Sequence, residues 1–336
     1  MAAAAPTQEG SSGGGDVPPI SLDVPALFAH AETLAQAHAR APVAAAGAAF
    51  RQRLLELART SAQRSMIALQ GADLERRARA GRIRTFGDER PADILFDLAQ
   101  PLAAWCAEGR HVEANIVANR YLDVSPQGAA GWGLLPLMLA LHTEDPEAAD
   151  RMLTPSAPQL IVIGGLSGTG KSSLARLLGG HLGRRPGARV LRSDVFRKRV
   201  NGLPPETRLP ARLYTARSNA DTYEAMFESA DDHLACGTTV ILDAVFLNRS
   251  EREVAEALAQ QARVPFTGIW LEAPEGDRLA RVAGRTSDAS DATAAVVREQ
   301  SRRSVGDLFG WHRLRANRPM ELILPAVRAI VERGRR

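Results

Sequence analysis

Hydrophobic positions in the first part of the chain recur at three- and four-residue spacing. Leu27, Phe28 and Leu34 share one face from about Val24, and a longer segment sets Phe50, Leu54, Leu55, Leu57, Met66 and Ile67 at mixed spacing of the same kind, the period of amphipathic helices. Pro91 opens a further predicted helix with Ile94, Leu95, Leu98, Leu102 and Trp105 on its apolar face and Pro101 placed to kink it. Two more helices are predicted around residues 112–121 and 132–141, and no strand is expected before Gln159. Beyond it the pattern changes. Short apolar runs at 160–163, 188–191, 238–243 and 266–271 alternate with amphipathic segments, which predicts buried strands crossed over by helices.

The first of these runs leads into Gly165-Leu166-Ser167-Gly168-Thr169-Gly170-Lys171-Ser172-Ser173, a full match to the glycine loop and Lys-Ser/Thr of a phosphate-binding P-loop. Glycines at 165, 168 and 170 let the backbone curl so that successive N–H groups converge on an anion. Lys171 is expected to reach the outer phosphates and the Ser172 hydroxyl to meet Mg²⁺, while the helix starting at Lys171 turns its positive end toward the phosphates. Gly165, Ser167, Gly168, Thr169, Gly170, Lys171, Ser172 and Ser173 are therefore the candidate ATP-binding residues. The fold class that follows is α/β: a P-loop NTPase fold with a mainly parallel sheet in the C-terminal half, preceded by a mostly α-helical N-terminal domain. The boundaries read as a disordered tail over 1–19, a helical domain over 20–142, a Pro-containing linker over 143–158 and the P-loop domain over 159–336.

Two of the later strands lead into residues suited to phosphoryl transfer. Ligands in open α/β sheets bind at the carboxyl ends of strands, which brings Asp194 and Arg197 to the phosphate site; Asp194 can accept a proton from an attacking hydroxyl, or cap the helix that follows it. Asp243 ends the run 238–243 where an acid that holds Mg²⁺ is expected. Ser250 and Glu253 read as a capping box that fixes the loop 244–249 over the site. Arg281 and Arg285, four apart, share one helical face ahead of a Ser/Asp/Ala-rich loop, the arrangement of a lid whose cations stabilise charge on a transferring phosphate.

Composition narrows the chemistry. The chain of 336 residues is 45% hydrophobic, enough for two cores, and its net charge of +4 and 5% aromatic content do not indicate a nucleic-acid surface. Two separated cysteines, Cys106 and Cys236, form no metal motif and suit a reducing cytoplasm as buried small hydrophobes. Neither a secretory leader nor a membrane span is legible. The only lysines are Lys171 and Lys198, so any step that needs an amine must use one of them.

The order of motifs from the glycine loop through Asp194-x-x-Arg197, Ile241-Leu242-Asp243, Asn248-x-x-x-Arg252 and Arg281-x-x-x-Arg285 is similar to the polynucleotide 5′-hydroxyl kinase group and to other small-molecule P-loop kinases. With LRSDVFRKR, VILDAVFLN, DASDA and Trp311-His312-Arg313, it looks like bacterial kinases fused behind an aminoglycoside phosphotransferase-like domain. The resemblance implies Asp194 as base, Arg197 and Asn248 on the substrate, Arg281 and Arg285 in a lid, ATP and Mg²⁺ as cofactors, and a hydroxyl-bearing acceptor. ADILFDLA at 92–99 and ANRYLDV at 118–124 resemble the C-terminal lobe of the aminoglycoside phosphotransferases. The catalytic-loop His of that family is replaced by Phe86 and no lysine precedes Lys171, which implies an inactive relative in which Asp88 is a turn residue. The alternative function is an ATP-binding switch or ATPase whose helical domain binds a partner. Against it, Asp243 is followed by Ala244 rather than Glu, and no guanine-reading Asn-Lys-x-Asp motif is present.

Overall fold

The helical signals of the first half become helices packed around one shared core in a computed structural model that describes residues 22–87, 90–284 and 289–335. The tail over 1–19 and Asp88 lie outside those residues. α1 (Val24–Arg40) starts where the Asp23 side chain accepts from the Ala26 N–H at 3.0 Å. α2 (Gly47–Leu57), α3 (Ser61–Leu69) and α4 (Gly71–Arg79) follow, then a two-residue pair, β1 (Ile83–Arg84) antiparallel to β2 (Ala92–Asp93). This pair corrects the expectation of no strand before Gln159: two residues per strand leave no alternation to read. It also moves the next helix. α5 (Ile94–Ala107) begins after Asp93 rather than at Pro91, because the Asp93 carboxylate caps Leu95 N–H at 2.8 Å and takes a two-pronged ion pair from the buried Arg77.

α6 (His111–Val124), α7 (Gly128–His142) and α8 (Pro146–Leu153) complete this half. α7 is buried on almost every side and shares one core with α5, α6 and the earlier helices. Within the stretch read as a linker, α8 adds Ala149 and Leu153 to that same core.

The second half runs β3 (Leu160–Gly165), α9 (Lys171–Gly179), β4 (Arg189–Arg192), α10 (Ser193–Val200), α11 (Ala216–Ala235), β5 (Val240–Asp243), α12 (Arg249–Gln261), β6 (Phe266–Glu272), α13 (Glu275–Ala283), α14 (Ala294–Ser301), β7 (Trp311–Arg315) and α15 (Met320–Gly334). Its strands form one parallel sheet in the order β4-β5-β3-β6-β7. The period-2 rule of a strand builds the two faces. Leu160 and Val162 point into a core with α11 and α12 residues, and Ile161 and Ile163 into one with α9 and α15 residues. The result is three layers with β3 at the centre and every carboxyl end on one edge. The expected α/β class with a helical first half is what the chain adopts.

The halves meet where α6 lies against α9 and β4. Asn119 Oδ1 accepts from Val190 N–H and from Arg189, both at 2.8 Å, and Asn115 Nδ2 donates to Ala188 O at 2.9 Å. Gly180 allows this approach, since a Cβ there would lie 2.7 Å from His111 O. Among the described residues no helix is long and apolar enough to cross a membrane. Cys106 is buried as expected, but Cys236, just past the end of α11, is exposed.

Candidate active site

Because β3, β4 and β5 are parallel neighbours, the loops that leave them open onto one cleft of about 660 Å³. Ser167, Gly170, Lys171 and Ser172 line it from the P-loop, and Asp194, Arg197, Asp243 and Asn248 are among the other lining residues. The glycine loop has the backbone its sequence demands: Gly168 and Gly170 have φ of 87° and 94°. A Cβ on Gly168 would come within 2.6 Å of Arg278 O, so a substituted loop could not keep its place against α13. Lys171 Nζ donates to Leu166 O at 3.2 Å, folded over the loop it belongs to. Gly165, Gly168, Thr169 and Ser173 shape the loop and helix start from behind the cleft lining.

β4 and β5 are in register with Arg192 opposite Asp243. The buried Arg192 guanidinium reaches Asp243 Oδ2 through Nε at 3.3 Å and Ser172 Oγ through its terminal nitrogen at 3.2 Å. A hydroxyl and a carboxylate oxygen thus share one guanidinium between them. Two hard oxygens that converge on a positive charge are a donor set suited to Mg²⁺.

Elsewhere in the cleft lining, Arg197 donates to Asn219 Oδ1 at 2.9 Å and stacks 5.4 Å over the Tyr214 ring. Asn219 and Asn248 both donate to Glu251, at 3.2 and 2.6 Å. Asn248 is also the N-cap of α12, its backbone N–H meeting Glu251 Oε2 at 3.2 Å; this corrects the expected Ser250–Glu253 capping box, because the helix starts two residues earlier, at Arg249, and the box is Asn248 with Glu251. The buried Arg252 donates to Phe246 O and Leu247 O and fixes the loop 244–249 from below. In that loop Phe246 holds a φ of 50° with its N–H on Tyr223 Oη at 3.0 Å, the local backbone strain that surrounding structure must over-determine.

Arg281 stands apart from this wall. Its shortest bond, 2.6 Å, goes to Ala316 O, with two contacts of 3.4 Å to Gly168 O and Thr169 O behind the P-loop. Arg285 lies outside the described residues. The last part of the Ser/Asp/Ala-rich loop is fastened instead by Asp291, which accepts from Lys198 Nζ, from Tyr214 Oη at 2.5 Å and from Leu209 N–H at 3.0 Å. Burial opposes ionisation of Asp291, but these hydrogen bonds outweigh it and hold its pKa below the usual carboxylate value. Burial, and then the same carboxylate, raises that of Tyr214.

Several residues in the cleft or just behind it are not anticipated from the sequence. Arg192 carried a signal, a basic residue closing a buried strand next to Asp194. Lys198 was one of two lysines, but nothing local paired it with Asp291. Gln300, which accepts from Ser167 N–H at 2.8 Å, carried none.

Residues 160–305 match a family model described as an AAA domain. Glycine loop, parallel sheet and match together define a P-loop NTPase-type domain in the second half of the chain. No curated protein matches the chain. Among solved structures, it is similar to a gluconokinase from Sinorhizobium meliloti 1021, with 19% identity, a TM-score of 0.40 and coverage of 53% of this chain and 94% of that one. It is also similar to the APS kinase of Mycobacterium tuberculosis in complex with AMPPNP and APS (20% identity, TM-score 0.36, covering 53% and 99%). A tunicamycin resistance protein from Deinococcus radiodurans aligns at 15% identity and a TM-score of 0.36, covering 52% and 96%.

Proposed function

We propose that the chain is an ATP-dependent kinase that transfers the γ-phosphate to a hydroxyl of a small molecule. The observation that supports this reading is the single cleft in which P-loop residues Lys171 and Ser172 face Asp194, Arg197 and Asn248. Lys171 and the loop N–H groups bind the phosphates and stabilise the charge that spreads over their oxygens. Asp194 holds the acceptor hydroxyl and takes its proton as the oxygen attacks. Arg197 and Asn248 orient the acceptor, and the cleft excludes the water that would otherwise hydrolyse ATP. Ser172 and Asp243 would hold Mg²⁺, which when bound neutralises phosphate charge. Arg281, beside the P-loop carbonyls of Gly168 and Thr169, belongs to the nucleotide side of this reading, with Arg285 as the second cation of the lid that the sequence suggests. The helical half is then the inactive phosphotransferase-like part, with one nucleotide bound per chain at Lys171.

The cleft volume falls in the range of small-molecule sites, and its mixed lining of guanidinium, carboxamide and aromatic groups suits a polyol or nucleoside. The test is ATP consumption against a panel of sugars, sugar acids, nucleosides and aminoglycosides. Asp194→Asn should lower transfer to the responding acceptor by about 10²–10⁴-fold, the worth of a general base, with ATP affinity kept. Unchanged ATP turnover across the whole panel, together with stimulation by a protein partner, would replace this reading with the ATPase switch.

A further inference from the structure

The P-loop amide of Ser167 does not wait open toward the cleft. It donates to Gln300 Oε1 at 2.8 Å, across 133 positions of sequence. A backbone N–H can only donate, so the carboxamide oxygen must face it and the Gln300 amide nitrogen must face elsewhere. Both residues line the cleft beside Lys171 and Asp194. Gln300 is held there by the helix that carries it. α14 buries Val297 completely, and the buried Arg278 of α13 donates to Ser301 Oγ at 2.6 Å. Three residues on, Arg303 donates to Asn248 Oδ1 at 3.0 Å, so the C-terminal end of α14 touches the P-loop and the acceptor wall together.

The loop N–H groups are the phosphate cradle, and the Gln300 oxygen meets one of them as a phosphate oxygen would. We propose that Gln300 senses the terminal phosphate of the nucleotide: the incoming oxygen takes the Ser167 N–H from Oε1, and the freed carboxamide turns its NH₂ to donate to that phosphate. A carboxamide carries an acceptor oxygen and a donor NH₂ on one uncharged end, so rotation exchanges one for the other at the same place. Ser167 and Gln300 are in the same lining as Asp194 and Asn248, which this reading assigns to the attacking hydroxyl. The group they share is therefore the outer phosphate, and the nucleotide state is passed along α14 to Arg303 and Asn248. This inference rests on the P-loop reading above and needs no acceptor.

The experiment is calorimetric titration of the whole chain with AMPPNP and with ADP, each with Mg²⁺, for the parent, Gln300→Ala and Gln300→Glu. Loss of one hydrogen bond to a charged group should weaken AMPPNP binding about tenfold in Gln300→Ala, with ADP affinity within about twofold. Gln300→Glu keeps an acceptor for Ser167 N–H but brings a negative charge to the phosphate, and should weaken AMPPNP binding further still. Retained ADP binding shows in the same titrations that the loop is intact. Equal losses for AMPPNP and ADP, or variants that bind AMPPNP as tightly as the parent, would overturn the proposal. Absence of binding of either nucleotide to the parent would instead overturn the P-loop reading itself.

Discussion

β4 and β7 are both edge strands, each hydrogen-bonded to one parallel neighbour, yet every residue of β4 is buried whereas β7 buries only Trp311 fully. An edge offers unpaired N–H and C=O groups, and proteins either cover it or make it unattractive to other strands. β7 takes the second course, with His312, Arg313 and Arg315 exposed along it. β4 takes the first, and its cover is α6. Asn119 and Asn115 supply to Ala188 O and Val190 N–H the bonds another strand would give, while Arg189 pairs with Asp123 at 2.7 Å. The helical half is thus joined to the sheet through its backbone, at the strand that leads into Asp194. It also reaches the loop between α10 and α11: the buried Arg120 of α6 pairs with both Glu32 and Glu206.

That contrast can be broken most directly at Asn119. Asn119→Leu leaves the buried Val190 N–H without its acceptor, at about 1–3 kcal/mol, and removes a hydrogen bond to the charged Arg189 guanidinium, worth about 1.5–3 kcal/mol, although Arg189 keeps Val190 O and Asp123. The unfolding free energy from urea melts should fall by roughly 3–5 kcal/mol. A loss no larger than that of an exposed-site variant would mean that water replaces the amide and the two edges are alike.

Acid sharpens the comparison next. His233, on α11 behind β4, is 4% exposed; its Nδ1–H donates to Ser229 O, and Nε2 finds no partner among the described residues. Burial first, and then the Arg189 charge, lower its pKa from 6.5 to about 4. Between these values the unfolded chain holds a proton that the folded one refuses. The stabilisation is therefore complete above pH 6.5 and is lost as pH falls toward 4, amounting to about 3 kcal/mol. Melts of the parent against His233→Gln over that range should converge as the pH drops; parallel curves would remove His233 from the account.

A smaller effect is expected at Arg120. Glu32 and Glu206 are more than a third exposed in their side chains, so water takes over part of what is lost. Arg120→Met should cost about 1–2 kcal/mol and speed amide exchange in residues 201–210. Smallest of all is Arg313→Ala on β7, whose ion pair with Glu272 is exposed and should move stability by no more than about 0.5 kcal/mol.

What could be read from sequence was local. Strand, glycine loop and Lys171 lie in one continuous stretch, and Asp194 and Asp243 follow from the rule that parallel strands end together. The Arg192–Asp243 pairing required the register of β4 on β5, which their similar apolar runs do not specify. Asn119 looked like one polar residue in a helix, because its partners are backbone groups some 70 positions away. Gln300 and Asp291 were invisible for the same reason: an amide or carboxylate in an exposed-looking stretch acquires its role only when the chain brings Ser167 or Lys198 to it. β1 and β2 escaped because two residues cannot display a period.

The burial of Lys198 has a practical consequence for covalent chemistry. Of the two side-chain amines in the chain, it is 1% exposed and tied to Asp291, whereas Lys171 opens on the cleft. An amine-directed acylating reagent therefore meets Lys171 as the one side-chain amine within its reach. Protection of that position by bound nucleotide, followed by peptide mass spectrometry, would report occupancy of the cleft without any engineered label.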